Sequence, residues 1–409
     1  MNNSKKIAGA LGGLLVLACT SGAGAAQAEN PVTKPAELEA AGVPVGPMVL
    51  YPSVGLQLGR DDNIFFQPSG EKRSGITVLT PVLDFRAVKE GQRYGLLYQA
   101  ELGRFSDSSP DDYEDQRLAG EADVGFSQKG RLNIQAEYVD EHDPRGTGAT
   151  EGAPLASANP DRWHATRLGA TLAYGAPGAQ GRIEAALGTR AKRYDNNRTV
   201  TEFRDLDQND TGVTFFYRVA PRTSLLFQAT NADIDYKTAT LDSTERRYLV
   251  GATWEATAMT TGTVKVGRQQ KDFADAGRTD FSGDSWTAAV TWAPKTYSFV
   301  EFSANQKTDE TNGAGNFNDK RDYGLAWTHG WTSFVRTRLS ALSVRDQYKG
   351  AAEVTLREDK TTGYGLSVTY QMRRWLNFDL GYTSTDRNSE VDSFDYKRHL
   401  YMFSVGASL

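Results

Sequence analysis

In the stretch Leu96-Leu97-Tyr98-Gln99-Ala100-Glu101-Leu102, the residues at even positions are all apolar, and those at odd positions include a charged one. In an extended strand successive side chains point to opposite faces. One face therefore holds Leu96, Tyr98, Ala100 and Leu102, and the other holds Gln99 and Glu101. Such a strand needs an apolar environment on one side and a wet one on the other.

Segments of this kind recur from about Met48 to Leu409, and the connections between them are alternately short and long. Outer-membrane barrels keep their periplasmic turns tight and let their outer loops grow, whereas a soluble β-sandwich has no reason to do so. The sequence therefore predicts an all-β protein: a single antiparallel transmembrane β-barrel of about 18 strands (16 or 20 are the alternatives), with short periplasmic turns and long extracellular loops. We expect the longest connection, Asp143–Pro160, to be a solvated outer loop, with an inward fold as the alternative.

The N-terminus has the features of a secretory signal peptide. Lys5 and Lys6 precede a run of small and aliphatic residues, and Ala26-Gln27-Ala28 is a small-x-small cleavage pattern. We predict a signal peptide at 1–28, a periplasmic tail at 29–47 and an outer-membrane barrel at 48–409. Lipidation of Cys19, the only cysteine, is an alternative fate of the leader.

In each strand, the alternate residues that include the charged ones are predicted to face the lumen, because a charge that faces lipid at mid-depth costs roughly 2–4 kcal/mol. The candidates for the lumen wall are Glu101, Arg117, Glu121, Asp123, Arg167, Glu184, Arg190, Lys192, Arg218, Glu301, Arg336, Arg338 and Asp379. Their signs are mixed, which suits neutral or weakly charged polar solutes better than a single kind of ion.

Four tryptophans near predicted turns or loops are predicted to form an aromatic girdle against outer-membrane lipid: Trp163, Trp292, Trp331 and Trp375. At the C-terminus, apolar residues alternate up to the last position, from Tyr401 to Leu409. We expect this final strand to close on the first and to be recognised by the barrel assembly machinery.

The sequence predicts no nucleic-acid partner, since the net charge is −5. It also predicts no metal and no cofactor, because the four histidines form no His-x-x-x-His pair. A barrel-borne hydrolase would need a histidine and an acid near the rim, and His142 among Asp140, Glu141 and Asp143 is the one such cluster. We interpret it as an acid-rich loop and predict that the protein is not an enzyme.

The start of the barrel resembles a known family. Pro52-Ser53-Val54-Gly55-Leu56 is followed by Gly59-Arg60-Asp61-Asp62-Asn63-Ile64-Phe65, and Thr80-Pro81-Val82-Leu83 lies in the next strand. This is similar to the β-barrel porin family of outer-membrane proteins associated with exopolysaccharide or capsule export. The resemblance implies an outer-membrane portal for a secreted polysaccharide.

The sequence leaves three functional hypotheses. The first is a conduit that exports an exopolysaccharide or another polar polymer, together with a periplasmic polysaccharide-export partner. The second is a general diffusion porin for small polar solutes. The third is the barrel-borne hydrolase, which would depend on His142.

Overall fold

The alternating segments form long antiparallel strands in the computed structural model, which describes residues 41–176, 178–257, 259–313, 315–350 and 355–409. Within these residues the strands are β1 (Val43–Val45), β2 (Met48–Asp61), β3 (Ser74–Lys89), β4 (Gln92–Phe105), β5 (Tyr113–Gly125), β6 (Gly130–Asp143), β7 (Asp161–Tyr174), β8 (Gly181–Tyr194), β9 (Leu206–Ala220), β10 (Thr223–Tyr236), β11 (Ser243–Thr257), β12 (Thr260–Phe273), β13 (Phe281–Lys295), β14 (Ser298–Asp309), β15 (Phe317–Gly330), β16 (Val335–Lys349), β17 (Thr355–Arg373), β18 (Leu376–Ser389) and β19 (Tyr396–Ser408). One short helix, α1 (Arg198–Thr201), lies in a loop, as do 3-10 turns at Ser109–Asp111, Gly148–Thr150, Pro154–Ala156, Glu202–Arg204 and Asp392–Phe394.

The sheet closes on itself. Each strand from β2 to β19 pairs antiparallel with its neighbour in sequence, and β19 pairs with β2 from Leu400 opposite Asp61 to Ser408 opposite Ser53. Across the described residues this gives a closed barrel of eighteen strands, as predicted. The short turns share one end of the barrel with the start of β2 and the end of β19, and the long loops lie at the other end, the loop end.

Parity separates the two faces of the wall. On β4, Leu96 and Tyr98 are exposed on the outside of the barrel, and on β17 Tyr364, Leu366 and Tyr370 are exposed in the same way. Near the loop end the outward positions change to paired charges, such as Arg104–Glu114, Arg193–Asp207 and Arg268–Asp284. The apolar band is therefore bounded on this side by a rim of ion pairs.

Two features near the N-terminus refine the predicted pattern. The end of the predicted tail forms β1, which folds back on β2 through a turn at Gly46, with Val45 opposite Met48. Pro81 interrupts the ladder between β3 and β4, since the pairing passes from Leu79 directly to Val82. A proline has no N–H to donate, which explains the gap.

The predicted signal peptide at 1–28, with Cys19, and most of the predicted tail lie outside the described residues. In the part of the chain that is described, no helix is long and apolar enough to cross a membrane.

One of the four girdle tryptophans is assigned wrongly by the sequence. Trp292, Trp331 and Trp375 are 52%, 61% and 53% exposed and lie at the short-turn end. Trp163 is only 8% exposed, and its Nε1 donates a hydrogen bond to Asp143 at 2.9 Å inside the barrel. The girdle prediction weighs only the position of Trp163 beside a loop, whereas Trp163 shares its odd position on β7 with Arg167, which points inward.

The two faces of β17 offer a direct test of the wall. Replacing the lipid-facing Leu366 with arginine is expected to lower the free energy of unfolding in lipid by about 2–4 kcal/mol, because a charge is then forced into hydrocarbon. Ser367→Arg, one residue along and on the luminal face, is the matched control and is expected to change it little. Denaturant titration of folding into lipid vesicles measures both. An equal loss for the two variants would contradict the assigned faces.

Candidate functional site

The charged side chains predicted to line the lumen are spread around the ring in separate ion-pair clusters. Asp123 accepts hydrogen bonds from Arg93 Nη2 at 2.6 Å and Arg131 Nη2 at 2.7 Å, which links β4, β5 and β6. On the far side, Arg338 of β16 donates to Glu301 of β14 at 2.5 Å. The wall is thus braced by charge pairs that reach across neighbouring strands.

The remaining residues predicted to line the lumen also lie against residues close to them in the wall. Glu137 bridges Arg117, at 2.7 Å, and Arg167. The other contacts are Tyr113 to Glu101, Asn133 to Glu121, Arg182 to Glu184, Lys192 to Tyr194, Gln180 to the carbonyl of Arg218, and Thr369 to Asp379, while Arg190 lies opposite Gln208 and Arg336 opposite Gly330 and Thr369. These residues are not gathered into one site, and their role in the lumen stays a prediction.

The structure instead concentrates buried charge around the connection between β6 and β7, Pro144–Pro160, which we call the crossing loop. Near its start, Arg145 forms a buried ion pair with Asp111, through Nε at 2.8 Å and Nη2 at 2.6 Å. The guanidinium also lies over the ring of Phe65 at 4.4 Å and donates to the Ser157 carbonyl at 3.4 Å. Arg145 therefore ties the loop to both the β2–β3 and the β4–β5 connections.

Just before the loop begins, the Asp143 carboxylate accepts hydrogen bonds from three side chains. Trp163 Nε1 lies at 2.9 Å, the Tyr194 hydroxyl at 2.7 Å and Arg204 Nη1 at 3.0 Å from its carboxylate oxygens. Burial alone would lower the pKa of Arg204, but the Tyr194 oxygen and the Asp143 carboxylate hold it above its ordinary value. Arg204 remains a cation and holds the β8–β9 connection against the base of the crossing loop.

The tip of the crossing loop reaches the other side of the ring. The Glu151 carboxylate accepts hydrogen bonds from Arg357 Nη2 of β17, at 2.9 Å, and from Arg387 Nη1 of β18. It also accepts one from the Asn312 amide in the β14–β15 connection. Strand β15, which follows Asn312, is separated from β6 by eight strands in either direction around the ring, so the loop spans the barrel at its loop end.

On the inner face of β17 and β18, neighbouring side chains fix the two arginines that bind Glu151. Arg357 lies between two aromatic rings, 4.0 Å from the centroid of Tyr348 and 3.8 Å from that of Phe394. The fully buried Asp359 contacts Arg357 at 3.0 Å and also pairs with Arg387. Two arginines and two carboxylates, Asp359 and Glu151, therefore form a compact network on the inner face of β17 and β18.

The expectation of a solvated outer loop at Asp143–Pro160 is wrong, and the alternative of an inward fold is what the structure has. The Gly/Ala/Pro-rich composition of the loop is typical of a solvated connection and predicts no role for Arg145 or Glu151. The signal was present, since these two are the only charged residues between Pro144 and Pro160. Both are anchors.

His142 does not assemble with the neighbouring acids on its own strand. Its Nδ1 lies 2.9 Å from Asp115 of β5, and its ring lies against Tyr113 with centroids 4.1 Å apart. Among the described residues no three His, Cys, Asp or Glu side chains are grouped so as to hold a metal ion.

A closed barrel with an apolar exterior and a charged interior defines a porin-type protein of the outer membrane. The sequence profile of the family described as Putative beta-barrel porin 2 matches residues 34–409, and the chain belongs to that family. Porins are channels and not enzymes. The predicted β-barrel porin family and outer-membrane location are confirmed, and the association with exopolysaccharide or capsule export stays a prediction.

Several solved porins have similar structures. OpdL of Pseudomonas aeruginosa is 12% identical with a TM-score of 0.49, over 89% of this chain and 99% of that one. OccK2 (OpdF) of the same organism is 12% identical with a TM-score of 0.49, over 88% and 98%. OccAB3 of Acinetobacter baumannii is 9% identical with a TM-score of 0.48, over 89% and 100%. No curated protein matches the sequence.

The buried pair at the base of the crossing loop predicts a strong effect of its removal. Asp111→Ala leaves the Arg145 charge buried without its carboxylate, which is expected to cost about 3–5 kcal/mol in the local stability of the loop. Glu114→Ala removes the partner of the exposed Arg104 nearby and is expected to cost at most about 1 kcal/mol. Hydrogen exchange of backbone amides in the loop measures the difference. Equal protection in both variants would count against Arg145 as an anchor.

Gly146 is expected to tolerate no side chain. Its φ is +88°, and a Cβ added there would lie 1.9 Å from the carbonyl oxygen of Phe65. Gly146→Ala should therefore displace the crossing loop and raise the single-channel conductance. Gly70→Ala is the matched control, since Gly70 has a φ of +70° but open space around it. Planar-bilayer recordings compare the two, and an unchanged conductance in Gly146→Ala would refute the expectation.

Proposed function

We propose that this protein is a diffusion channel for small polar solutes across the outer membrane. The observation that carries the proposal is the crossing loop, which is fixed at its start by Arg145 and Asp111 and at its tip by Glu151, Arg357 and Arg387. A chain that spans the loop end divides the opening through which a solute must pass. A hydrated polysaccharide chain needs a wider opening than a monosaccharide does.

The charge pattern of the wall supports the same proposal. In ion pairs such as Arg93–Asp123 and Arg338–Glu301 the two opposite charges cancel, so neither positive nor negative charge dominates along the wall. A wall of mixed sign is hydrated without selecting strongly for one kind of ion. Export of a polysaccharide, which the family resemblance implies, is the alternative outcome of the test.

Liposome swelling with sugars of rising length tests the proposal. The wild-type channel is expected to pass monosaccharides quickly and long oligosaccharides very slowly, because the crossing loop limits the opening. A variant in which two glycines replace Gly148–Ala156 should pass the longer sugars. A variant that lacks the exposed Asp275–Gly277 of another loop is the control and should behave like the wild type.

The outcome separates the two functions. If wild-type protein passes long oligosaccharides as fast as the shortened variant does, the loop is no barrier and export of a polymer is favoured. If no variant passes any sugar, the channel proposal fails.

A further inference from the structure

We propose that Arg357 and Arg387 form a binding site for the carboxylate group of an anionic solute at the outer mouth, and that Glu151 occupies this site as an internal ligand that the solute displaces. The inference rests on the proposed channel function and names the chemical class of one group of its solutes: small monocarboxylates.

The Glu151 side chain is held in the way that proteins hold a carboxylate ligand. Its two oxygens are bound by different guanidinium groups, Oε2 by Arg357 at 2.9 Å and Oε1 by Arg387. Charge-assisted hydrogen bonds from arginine to carboxylate are stronger and more directional than neutral ones. Since the contact is made by the carboxylate alone, any carboxylate that reaches the same place can replace it.

The two arginines do not depend on Glu151 for their positions. Arg357 is 4% exposed and is clamped between the rings of Tyr348 and Phe394. Asp359, which is 0% exposed, pairs with both guanidinium groups. The site therefore keeps its shape when the tip of the loop leaves, which is what a preorganised binding site requires.

The charge of the site matches a monocarboxylate. Arg357 and Arg387 supply two positive charges, and Asp359 supplies one negative charge. Without Glu151 a single positive charge remains, in a position that is largely shielded from water. Within the described residues the Nε groups of both arginines have no hydrogen-bond partner, so the site also has donors to spare.

The attachment of Glu151 is suited to release. The contacts of Glu151 itself are polar, with Arg357, Arg387 and Asn312. Displacement by a solute therefore exchanges one set of carboxylate contacts for another without disrupting an apolar core.

Gluconate and sorbitol are a suitable pair of probes, because they are similar in size and differ in the carboxylate. In planar bilayers gluconate is expected to block the wild-type channel transiently and sorbitol is not. In Glu151→Gln the apparent dissociation constant of gluconate should fall about tenfold if Glu151 holds the site about nine-tenths of the time, since affinity scales with the fraction of free site. Arg387→Gln should abolish the block, and Arg387→Lys should restore part of it.

Arg268→Gln is the matched control, because it removes an arginine from the outer face of β12, where it pairs with Asp284 at 2.8 Å. It should leave the gluconate block unchanged. If Arg387→Gln does not fold, as judged by heat-modifiable migration in gels, the Glu151→Gln measurement decides alone.

The results distinguish failure of this inference from failure of the channel proposal. Channels that conduct and pass sorbitol, but whose gluconate block is the same in wild type, Glu151→Gln and Arg387→Gln, overturn the carboxylate site and leave the channel standing. An equal rise in the permeation rates of gluconate and sorbitol in Glu151→Gln also overturns the carboxylate site, since the loop is then only a steric barrier. Protein that passes neither probe in any variant overturns the channel itself.

Discussion

The pairing of β19 with β2 is the contact on which the rest of the structure depends. In hydrocarbon there is no water to bond a free N–H or C=O group, so a sheet can span a membrane only when it has no open edge. Once the sheet is closed, every strand has one face toward lipid and one toward the interior. Side-chain parity is then fixed for the whole chain, from Leu56 on the first barrel strand to Phe403 on the last.

Closure also decides where the charges go. A charged residue within the apolar band must point inward, and inside the barrel it meets the inward charges of the adjacent strands. This is why Asp123 lies between Arg93 and Arg131, and why Arg338 pairs with Glu301. The same interior accepts the crossing loop, because its two charged residues meet partners of opposite sign, Arg145 in the β4–β5 connection and Glu151 on the wall.

The sequence predicts the features that depend on local pattern. Alternation within each strand gives the face, and the lengths of connections give the strand order and the end at which the loops lie. The crossing loop depends on contacts across the ring, and Glu151 lies 206 residues from Arg357 and 236 from Arg387. No periodicity links such positions. Trp163 is different, because its odd position on β7 is shared with Arg167 and already indicates the inner face, where Asp143 and Lys192 contact it.

The two anchors of the crossing loop differ in kind, and the difference bears on how the loop can work. At the start, the backbone of Gly146 lies against the backbone of Phe65, and the Arg145–Asp111 pair is buried beside it. That contact depends on shape and on charge together. At the tip, Glu151 is held by side-chain polar groups alone, and a carboxylate from another source satisfies them equally well. A loop with a fixed start and an exchangeable tip can open at one end only, so the barrel keeps its barrier while the passage responds to the chemistry of the solute.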